Sequence, residues 1–357
     1  MLADWLPNLH PLVVHFPIAL LVVAVLLELG RLAFRRREWL DRSVLLLYGL
    51  GTLGLVAAFL SGRRAAETVE VEGAAFAVLT SHEDWGLATM VFFLVFSGLR
   101  LGAAWRRVDQ KRWAAGVLAI MGGVGVGMLA VTADRGGELV FRHGAGVAVV
   151  QEMRAQLETL DRELQVLRGV PGPEVAEDGG SWNWSIAPGS AASFRTEFLW
   201  LQGDPEQADM EVAPAPERGS VLEIVLDSSE LMVVLEEELR GVEGRLRFEA
   251  EDFVGSLALV HNVRDQGNYQ YLRTDGERVE QGQMVDGNDV VLGTGTTSFS
   301  GWTDLRVQAS DGHLYGHLGG EQRVHAHGTQ MAPGFAGVRI RGSGILRIQR
   351  LAFQGVD

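Results

Sequence analysis

Long apolar stretches alternate with charged turns over the first half of the chain. Four such stretches run over Pro11–Gly30, Ser43–Gly62, Gly86–Trp105 and Trp113–Ala133. Each has about the 20 residues that a helix needs to cross the hydrocarbon core of a bilayer. The first contains Glu28 and the third contains Arg100, each near the same predicted membrane face, so we consider an ion pair between them. The pattern predicts a bundle of four transmembrane helices in residues 1–148.

The pattern changes after the fourth apolar stretch. Apolar residues then follow a 3-4-3-4-3 spacing, which predicts an amphipathic stalk helix over residues 149–168. They are Val150, Met153, Leu157, Leu160, Leu164 and Leu167. This heptad seam is short for an autonomous coiled coil and is expected to pack on a neighbour, within this chain or from another subunit. Residues 169–181 are rich in glycine and proline and are interpreted as a linker.

Short apolar runs separated by turn residues fill residues 182–357. The predicted strands are Phe194–Leu201, Val221–Leu226, Arg245–Glu251, Leu257–Asn262, Tyr269–Thr274, Asp304–Ala309, His313–Leu318, Arg323–Ala326, Gly337–Arg341 and Leu346–Phe353. Such spacing is typical of an antiparallel β-sandwich or jelly roll. The predicted fold class is therefore a membrane all-α domain joined to an all-β domain.

Composition limits the chemistry that the chain can carry. Its formal net charge of −14 comes mostly from the second half, which argues against nucleic acid as a partner. The chain has no cysteine, so disulfides, iron–sulfur ligation, thiolate zinc sites and covalent haem attachment are excluded. Any metal or haem would need histidine, methionine or oxygen ligands.

Charged residues between the helices predict the orientation. No Lys or Arg precedes Arg31, so the first helix does not resemble a cleavable signal peptide. The strongly basic loops contain Arg31, Arg35, Arg36, Arg37 and Arg42, and Arg106, Arg107, Lys111 and Arg112. By the positive-inside rule these loops are cytoplasmic. We therefore expect a protein of the bacterial inner membrane, with its N-terminus and C-terminal domain on the periplasmic or extracytoplasmic side.

All four histidines of the helical half fall on that outer side. They are His10, His15, His82 and His143. Ionisable residues are costly within a membrane and usually mark a functional site. Ser81 or Thr80 could cap the third helix beside His82. Glycines in helices two and four favour close helix packing, and they would also let a flat macrocycle approach the backbone.

Three interpretations of these histidines remain open. Neutral imidazoles are good axial ligands, so the four residues could bind haem b, and a His15–His82 pair is attractive by depth. Since all four lie on one side, electrons would then enter and leave from outside. Alternatively, carboxylates could join them around zinc, copper or iron. Those carboxylates are Glu83, Asp84, Asp134 and Glu138. In the third interpretation the histidines only cap helices and satisfy backbone groups.

The β-rich half contains two weaker candidate sites. His313, His317, His325 and His327 alternate on short strands, and His325 and His327 would share one strand face, which is a weak metal signal. Asp265, Asn268, Tyr269 and Trp302 could line a glycan cleft, although the aromatic residues could equally build the core. A glycan hydrolase would need a positioned pair of carboxylates, and no motif singles one out.

Motifs in both halves resemble known families. Leu9–Pro17 (LHPLVVHFP), Ser81–Gly86 (SHEDWG) and Gly136–Val147 (GGELVFRHGAGV) resemble a bacterial family of four-helix membrane domains of unknown function. Related domains are fused to Rieske or cytochrome c modules, which implies a redox setting. Residues 257–272, 302–309 and 337–341 look like a concanavalin or laminin-G-like sandwich, similar to the 3-keto-disaccharide hydrolase family. This second resemblance implies a fold more than an activity.

These observations favour a non-enzymatic membrane subunit or accessory of a redox or energy-transducing complex. It would bind haem b through the outer histidines and dock partner proteins with its sandwich. The alternatives are a membrane-anchored protein that binds or hydrolyses glycans, and a purely structural subunit without a cofactor. The expected partners are the lipid bilayer and other membrane-protein subunits, with a glycan at the sandwich in the first alternative.

Overall fold

The computed structural model describes residues 9–33, 38–66, 69, 71–215 and 219–356. The chain forms two compact units, one comprising residues 1–71 and 78–151, the other Glu72–Ala77 and Glu152–Asp357. Helices make up the first unit, and antiparallel strands dominate the second. The predicted combination of an all-α and an all-β domain is confirmed.

Four helices carry the apolar stretches, and all are long and apolar enough to cross a membrane. They are α1 (His10–Ala33), α2 (Glu38–Ala66), α3 (Ala74–Trp105) and α4 (Arg112–Phe141). Each is longer than its apolar stretch because the flanking residues stay helical. The predicted cap at Thr80 or Ser81 is wrong, since α3 begins in an alanine-rich segment before them. Arg35, Arg36 and Arg37, used for the orientation, lie outside the described residues.

The ion pair considered between helices one and three is confirmed. Arg100 Nε lies 2.8 Å from Glu28 Oε2, and both side chains are fully buried. Arg31 also contacts Glu28, at 2.5 Å, and both arginines contact Asp109. A buried charge without a partner would be strongly destabilising. The network therefore explains how two charged residues are retained inside an apolar bundle.

The hairpins α1–α2 and α3–α4 share one pattern of close contacts. In each hairpin a glycine of the second helix faces a histidine of the first, and eleven residues deeper another glycine faces a bulky apolar residue. The contacts are His10–Gly62 and Leu21–Gly51 in one hairpin, and His82–Gly136 and Phe93–Gly125 in the other. A Cβ added at any of these glycines would lie 2.5–3.0 Å from the facing side chain. A larger residue at any of these positions would therefore require the facing side chain to shift.

Equivalent positions of the two hairpins also touch each other. Glu28 and Arg100, the buried ion pair, each lie eighteen residues after the histidine of their hairpin. Tyr48 and Gly122 each lie fourteen residues before the glycine that faces the histidine of their hairpin. A Cβ on Gly122 would lie 2.8 Å from Tyr48 Oη. Residues at corresponding offsets of the two hairpins thus meet each other at these positions.

The predicted stalk helix is present as α5 (Ala148–Arg168). Most of its apolar seam is exposed. Met153, Leu157, Leu160 and Leu164 are 53–60% exposed, and Leu167 is 81% exposed. Within the part of the chain that the structure describes, nothing covers these apolar side chains, so they do not pack on their own chain.

The second unit is a large sheet in which every strand pairing is antiparallel. Its strands are β1 (Glu174–Val175), β2 (Ser181–Ser185), β3 (Leu199–Gln202), β4 (Asp209–Pro214), β5 (Ser220–Leu239), β6 (Val242–Glu249), β7 (Phe253–Asp265), β8 (Asn268–Thr274), β9 (Arg278–Val285), β10 (Asn288–Thr296), β11 (Thr303–Ser310), β12 (His313–Leu318), β13 (Glu321–His327) and β14 (Gly334–Gln354). The main order is β10-β9-β8-β7-β14-β6-β11-β12-β13. A Cβ at Gly293 of β10 would lie 2.8 Å from Val324 of β13, so the sheet curls back towards itself.

Part of one predicted strand is a helix. Phe194–Leu201 was expected to be extended, but α6 (Ser190–Thr196) occupies its start and β3 its end. Phe194 and Phe198 lie four residues apart and both pack on Trp184, with ring centroids 5.1 and 5.0 Å away. Residues four apart face one side of a helical turn, so packing on Trp184 favours the helix over the strand.

The two longest strands were also predicted incompletely. β14 is one strand where two were expected, Gly337–Arg341 and Leu346–Phe353. Gly342 and Gly344 join the two parts with φ values of 156° and 110°. The predicted strand Val221–Leu226 is the first third of β5. Glycine lets β14 bend without ending, which a glycine within a strand pattern does not reveal by itself.

Candidate functional site

Two of the four predicted histidines meet inside the helical bundle. The ring centroids of His10 on α1 and His82 on α3 are 6.3 Å apart, with the ring planes inclined by 77°. The two residues occupy equivalent positions in the two hairpins. Two imidazoles at corresponding offsets of the two hairpins therefore contact each other.

A backbone carbonyl fixes the tautomer of each ring. His10 Nδ1 lies 3.0 Å from the carbonyl oxygen of Ala58. His82 Nδ1 lies 2.9 Å from the carbonyl oxygen of Thr132. A carbonyl oxygen only accepts, so Nδ1 is the donor in both rings and Nε2 carries the lone pair when the ring is neutral. Histidine ligands of metals usually show this arrangement, with the second nitrogen donating to a carbonyl or carboxylate.

Glycines give both rings their room. A Cβ at Gly62 would lie 3.0 Å from His10 Cε1, and one at Gly136 would lie 3.0 Å from His82 Cε1. In each hairpin the glycine follows the accepting residue by four positions, so carbonyl and glycine lie on one face of the same helix. Each imidazole is thus oriented by its neighbouring helix.

The other two histidines lie apart from this pair. His15 is exposed on α1, and His143 is half-buried just beyond the end of α4. The ring contact that the structure gives His82 is with His10, rather than with His15 as the depth argument suggested. Among the acids considered as ligands, Asp84 and Asp134 are exposed, and Glu138 contacts Arg135 and Arg142 at 3.1 and 3.0 Å.

A second histidine group forms on the sheet. His313 of β12 pairs directly with His327 of β13, and His325 lies two residues before His327. One ligand nitrogen from each of the three side chains lies within 4.8 Å of the others. His325 and His327 share a strand face as expected, and the register adds His313 to them.

His317 on the same strand is part of a different network. Burial and, to a smaller extent, the nearby cation Arg306 lower its pKa to about 4. Arg306 Nε lies 3.1 Å from Glu243, whose side chain is 1% exposed. Burial raises the pKa of Glu243, but Arg306, Arg245 and the backbone N–H of Gly73 outweigh it and hold the pKa at about 2. This network neutralises a buried carboxylate, so we exclude His317 from the histidine group.

The predicted glycan-cleft residues divide between two places. Asp265 and Asn268 flank the hairpin between β7 and β8, where Asp265 accepts bonds from Gly267 N and Asn268 Nδ2 at 2.7 and 3.0 Å. Tyr269 follows them on β8. Trp302 precedes β11, which β14 and β6 separate from β7 in the sheet. The sequence alone could not show this separation.

Tyrosines and arginines line a groove that includes Tyr269. Tyr269 and Tyr271 are only 1% and 2% exposed, and their hydroxyls bond to Arg339 and Asp289. Burial raises the pKa of both phenols. Neither ring face is open enough for a sugar to stack on it. Asp289 is also paired with Arg273, at 3.2 Å, so the groove offers no pair of free carboxylates for hydrolysis.

Residues 6–149 match the model of a family described as predicted membrane protein (DUF2231). The helical half is similar to this family, and we refer to it as the DUF2231 domain. The match contains His10, His15, His82 and His143 and ends at the start of the stalk helix. No curated protein matches the chain in sequence.

The chain is also similar to several solved structures, and the similarity concerns its β-rich second half. A carbohydrate-binding module, CBM66, from Bacillus subtilis is 14% identical over 45% of this chain and 96% of its own, with a TM-score of 0.37. A protein of unknown function with a galectin-like fold, also from Bacillus subtilis, is 9% identical over 46% and 90%, at 0.35. A β-glucanase from Bacillus licheniformis is 11% identical over 44% and 92%, at 0.32.

The residues that position His10 and His82 in the DUF2231 domain were not among the candidates from the sequence. Gly62 and Gly136 were absent from the candidates, as were the accepting carbonyls of Ala58 and Thr132. The glycines carry a signal, since small residues in membrane helices mark close contacts. The carbonyls carry none, because every residue has one and only helix packing selects which of them is used.

Proposed function

We propose that the DUF2231 domain binds a cofactor between His10 and His82, and that the protein is a non-enzymatic membrane subunit or accessory of a redox complex. The cofactor that suits the pair best is haem b. The carrying observation is that two rings of the same tautomer, each bonded to a backbone carbonyl, meet inside the helical bundle.

The ring spacing would allow His10 and His82 to hold one metal atom together. A metal–nitrogen bond is about 2 Å long, and the centre of an imidazole lies roughly 1 Å beyond the ligating atom. Two rings on opposite sides of one metal therefore have centres about 6 Å apart, close to the observed 6.3 Å. Bound haem would supply reversible one-electron transfer at a potential set by its ligands and surroundings.

The chain contributes position and environment to this site. Ala58 and Thr132 hold the rings by their backbone, which raises the basicity of Nε2. Gly62 and Gly136 let each ring lie against a helix. The two rings come from different hairpins, so binding would also tie the hairpins together. Apolar helices around the pair would limit the access of water and so favour the reduced, less charged state.

A role within a larger assembly is supported by the stalk helix. The seam of α5 follows a heptad spacing and is exposed from Met153 to Leu167. Its spacing suits a second helix of the same kind.

A reduced-minus-oxidised absorbance spectrum of the full chain, purified in mild detergent, tests the proposal. We expect the sharp α-band of low-spin haem, and we expect its loss in His10→Ala and in His82→Ala. His15→Ala is the matched control, because His15 lies on the same helix as His10 but is exposed. His143→Ala serves as a second control outside the pair.

Two results would contradict the proposal. One is a featureless spectrum from folded protein that has been supplied with haem. The other is an α-band that survives in both His10→Ala and His82→Ala. If haem is absent but a metal ion copurifies and is lost in the same two variants, the pair binds a non-haem metal instead.

A further inference from the structure

We infer that His313, His325 and His327 form a zinc-binding site on the sandwich, separate from the histidine pair of the DUF2231 domain. The three residues lie on neighbouring strands β12 and β13. His313 is directly opposite His327 in the register, and His325 is two residues away on the same strand face. The sheet therefore holds three imidazole-bearing backbone positions in a fixed triangle.

The distances suit a metal after a small side-chain movement. The ligand nitrogens lie within 4.8 Å of one another. Tetrahedral zinc with bonds of 2.0–2.1 Å requires nitrogens about 3.3 Å apart. Rotation about the side-chain bonds can close the remaining roughly 1.5 Å, because opposed positions on paired strands keep their Cβ atoms about 5 Å apart. No backbone movement is required.

The surroundings orient the rings and keep the site accessible. His313 is buried, His325 is half-buried and His327 is exposed, so the group opens towards solvent at one side. Tyr315 stacks on His325 with centroids 4.1 Å apart and planes inclined by 17°, which restricts that ring. Arg323, two residues before His325 on β13, carries a positive charge like that of a metal ion. It is paired with Glu321 at 2.6 Å. Its charge is thus compensated.

The ligand set points to zinc with an open position. Three neutral imidazoles without a carboxylate suit zinc, copper or nickel better than magnesium or calcium. Zinc with three protein ligands keeps a fourth position for water or another small ligand. The exposed side at His327 is where that position would lie. The site would then bind zinc reversibly and add stability to the β12–β13 hairpin.

Zinc binding to the full chain in detergent tests the inference. After chelator treatment, Zn²⁺ alone is added and the bound metal per chain is counted after equilibrium dialysis. We expect His325→Gln and His327→Gln each to lower the count by one ion relative to the parent protein. His317→Gln, on β12 but in the Glu243 network, is the matched control and should leave the count unchanged.

The same experiment separates this site from the histidine pair. His82→Ala removes any metal that the histidine pair holds, but it leaves the loss caused by His325→Gln unchanged. Co²⁺ is the second probe, and an intense visible spectrum of tetrahedral cobalt that disappears in His327→Gln would support the inference. Equal zinc counts in the parent and in both sandwich variants would overturn it, as would a weak octahedral cobalt spectrum. His327 is exposed, so its variant is expected to fold.

Discussion

Adding one methyl group beside each ring of the histidine pair should weaken cofactor binding. In Gly62→Ala the new Cβ would lie 3.0 Å from Cε1 and 3.3 Å from Nδ1 of His10. Ordinary contacts between carbon atoms are about 3.5–4.0 Å, so the ring must retreat by roughly 0.5 Å. The bond from Nδ1 to Ala58, now 3.0 Å, would then approach the limit for a hydrogen bond.

The size of the effect follows from this displacement. Overpacking a tight contact costs about 1–3 kcal/mol. At about 1.4 kcal/mol per factor of ten, cofactor affinity should fall roughly tenfold to a hundredfold. Gly136→Ala should have a similar effect through His82, because its Cβ would meet that ring at the same 3.0 Å.

Haem titration of the cofactor-free protein, followed by absorbance, measures the change. Gly49→Ala on α2 and Gly123→Ala on α4 are matched controls, since no atom lies within 4 Å of either added methyl group. If Gly62→Ala and Gly49→Ala bind haem equally well, the glycines do not set the ring positions and the reasoning fails. If only one of Gly62→Ala and Gly136→Ala loses haem affinity, the two rings do not contribute equally to the site.

Three further predictions concern stability and assembly. Glu243 ionises at a pKa of about 2 in the folded protein and about 4.3 in an unfolded chain, so its charge should stabilise the sandwich by about 3 kcal/mol above pH 5. That contribution should disappear as the pH falls through 2, and chemical denaturation against pH should show it in the parent but not in Glu243→Gln. Arg100→Leu should cost about 3–5 kcal/mol by leaving Glu28 buried with fewer partners, measured as thermal unfolding in detergent. Leu160→Asp on the exposed seam of α5 should convert a self-associated protein into a monomer in light scattering.

Each of these predictions has its own control. Gln308→Ala removes a neighbour of Glu243 without removing the titrating group, so it should keep the acid dependence. Arg42→Leu breaks an exposed pair with Glu38, which should cost less than about 1 kcal/mol. Thr159→Asp adds a charge to α5 outside the seam and should leave the mass unchanged. A variant that matches its control in each case would show that the named contact does not matter.

The four helices could be predicted because their signal is one-dimensional. Apolar runs such as Pro11–Gly30 need only length and composition to indicate a membrane helix. The ion pair between Glu28 and Arg100 could only be considered, because both residues lie near the same predicted membrane face. The start of α3 could not be obtained this way, since Ala74–Leu79 is helical without being part of the most apolar run.

The sandwich could be predicted as a class but less well in its details. Turn spacing reveals that strands are present, whereas α6 depends on Phe194 and Phe198 packing against Trp184. Similarly, the shared face of His325 and His327 follows from alternation along one strand. The approach of His313 depends on the register between two strands, which the sequence does not specify.

The arrangement of the DUF2231 domain gives a physical reason to expect something between the histidines. Residues at corresponding offsets of the two hairpins meet, so each meeting pair must be chemically compatible. Glu28 and Arg100 meet with opposite charges and satisfy each other at 2.8 Å. At His10 and His82 the same residue occurs twice, and Nδ1 of each ring is bonded to a carbonyl oxygen. When both rings are neutral their Nε2 atoms are both acceptors and cannot bond to each other, whereas both can bind one metal atom. The matched pair therefore supports the proposed cofactor more strongly than either histidine would alone.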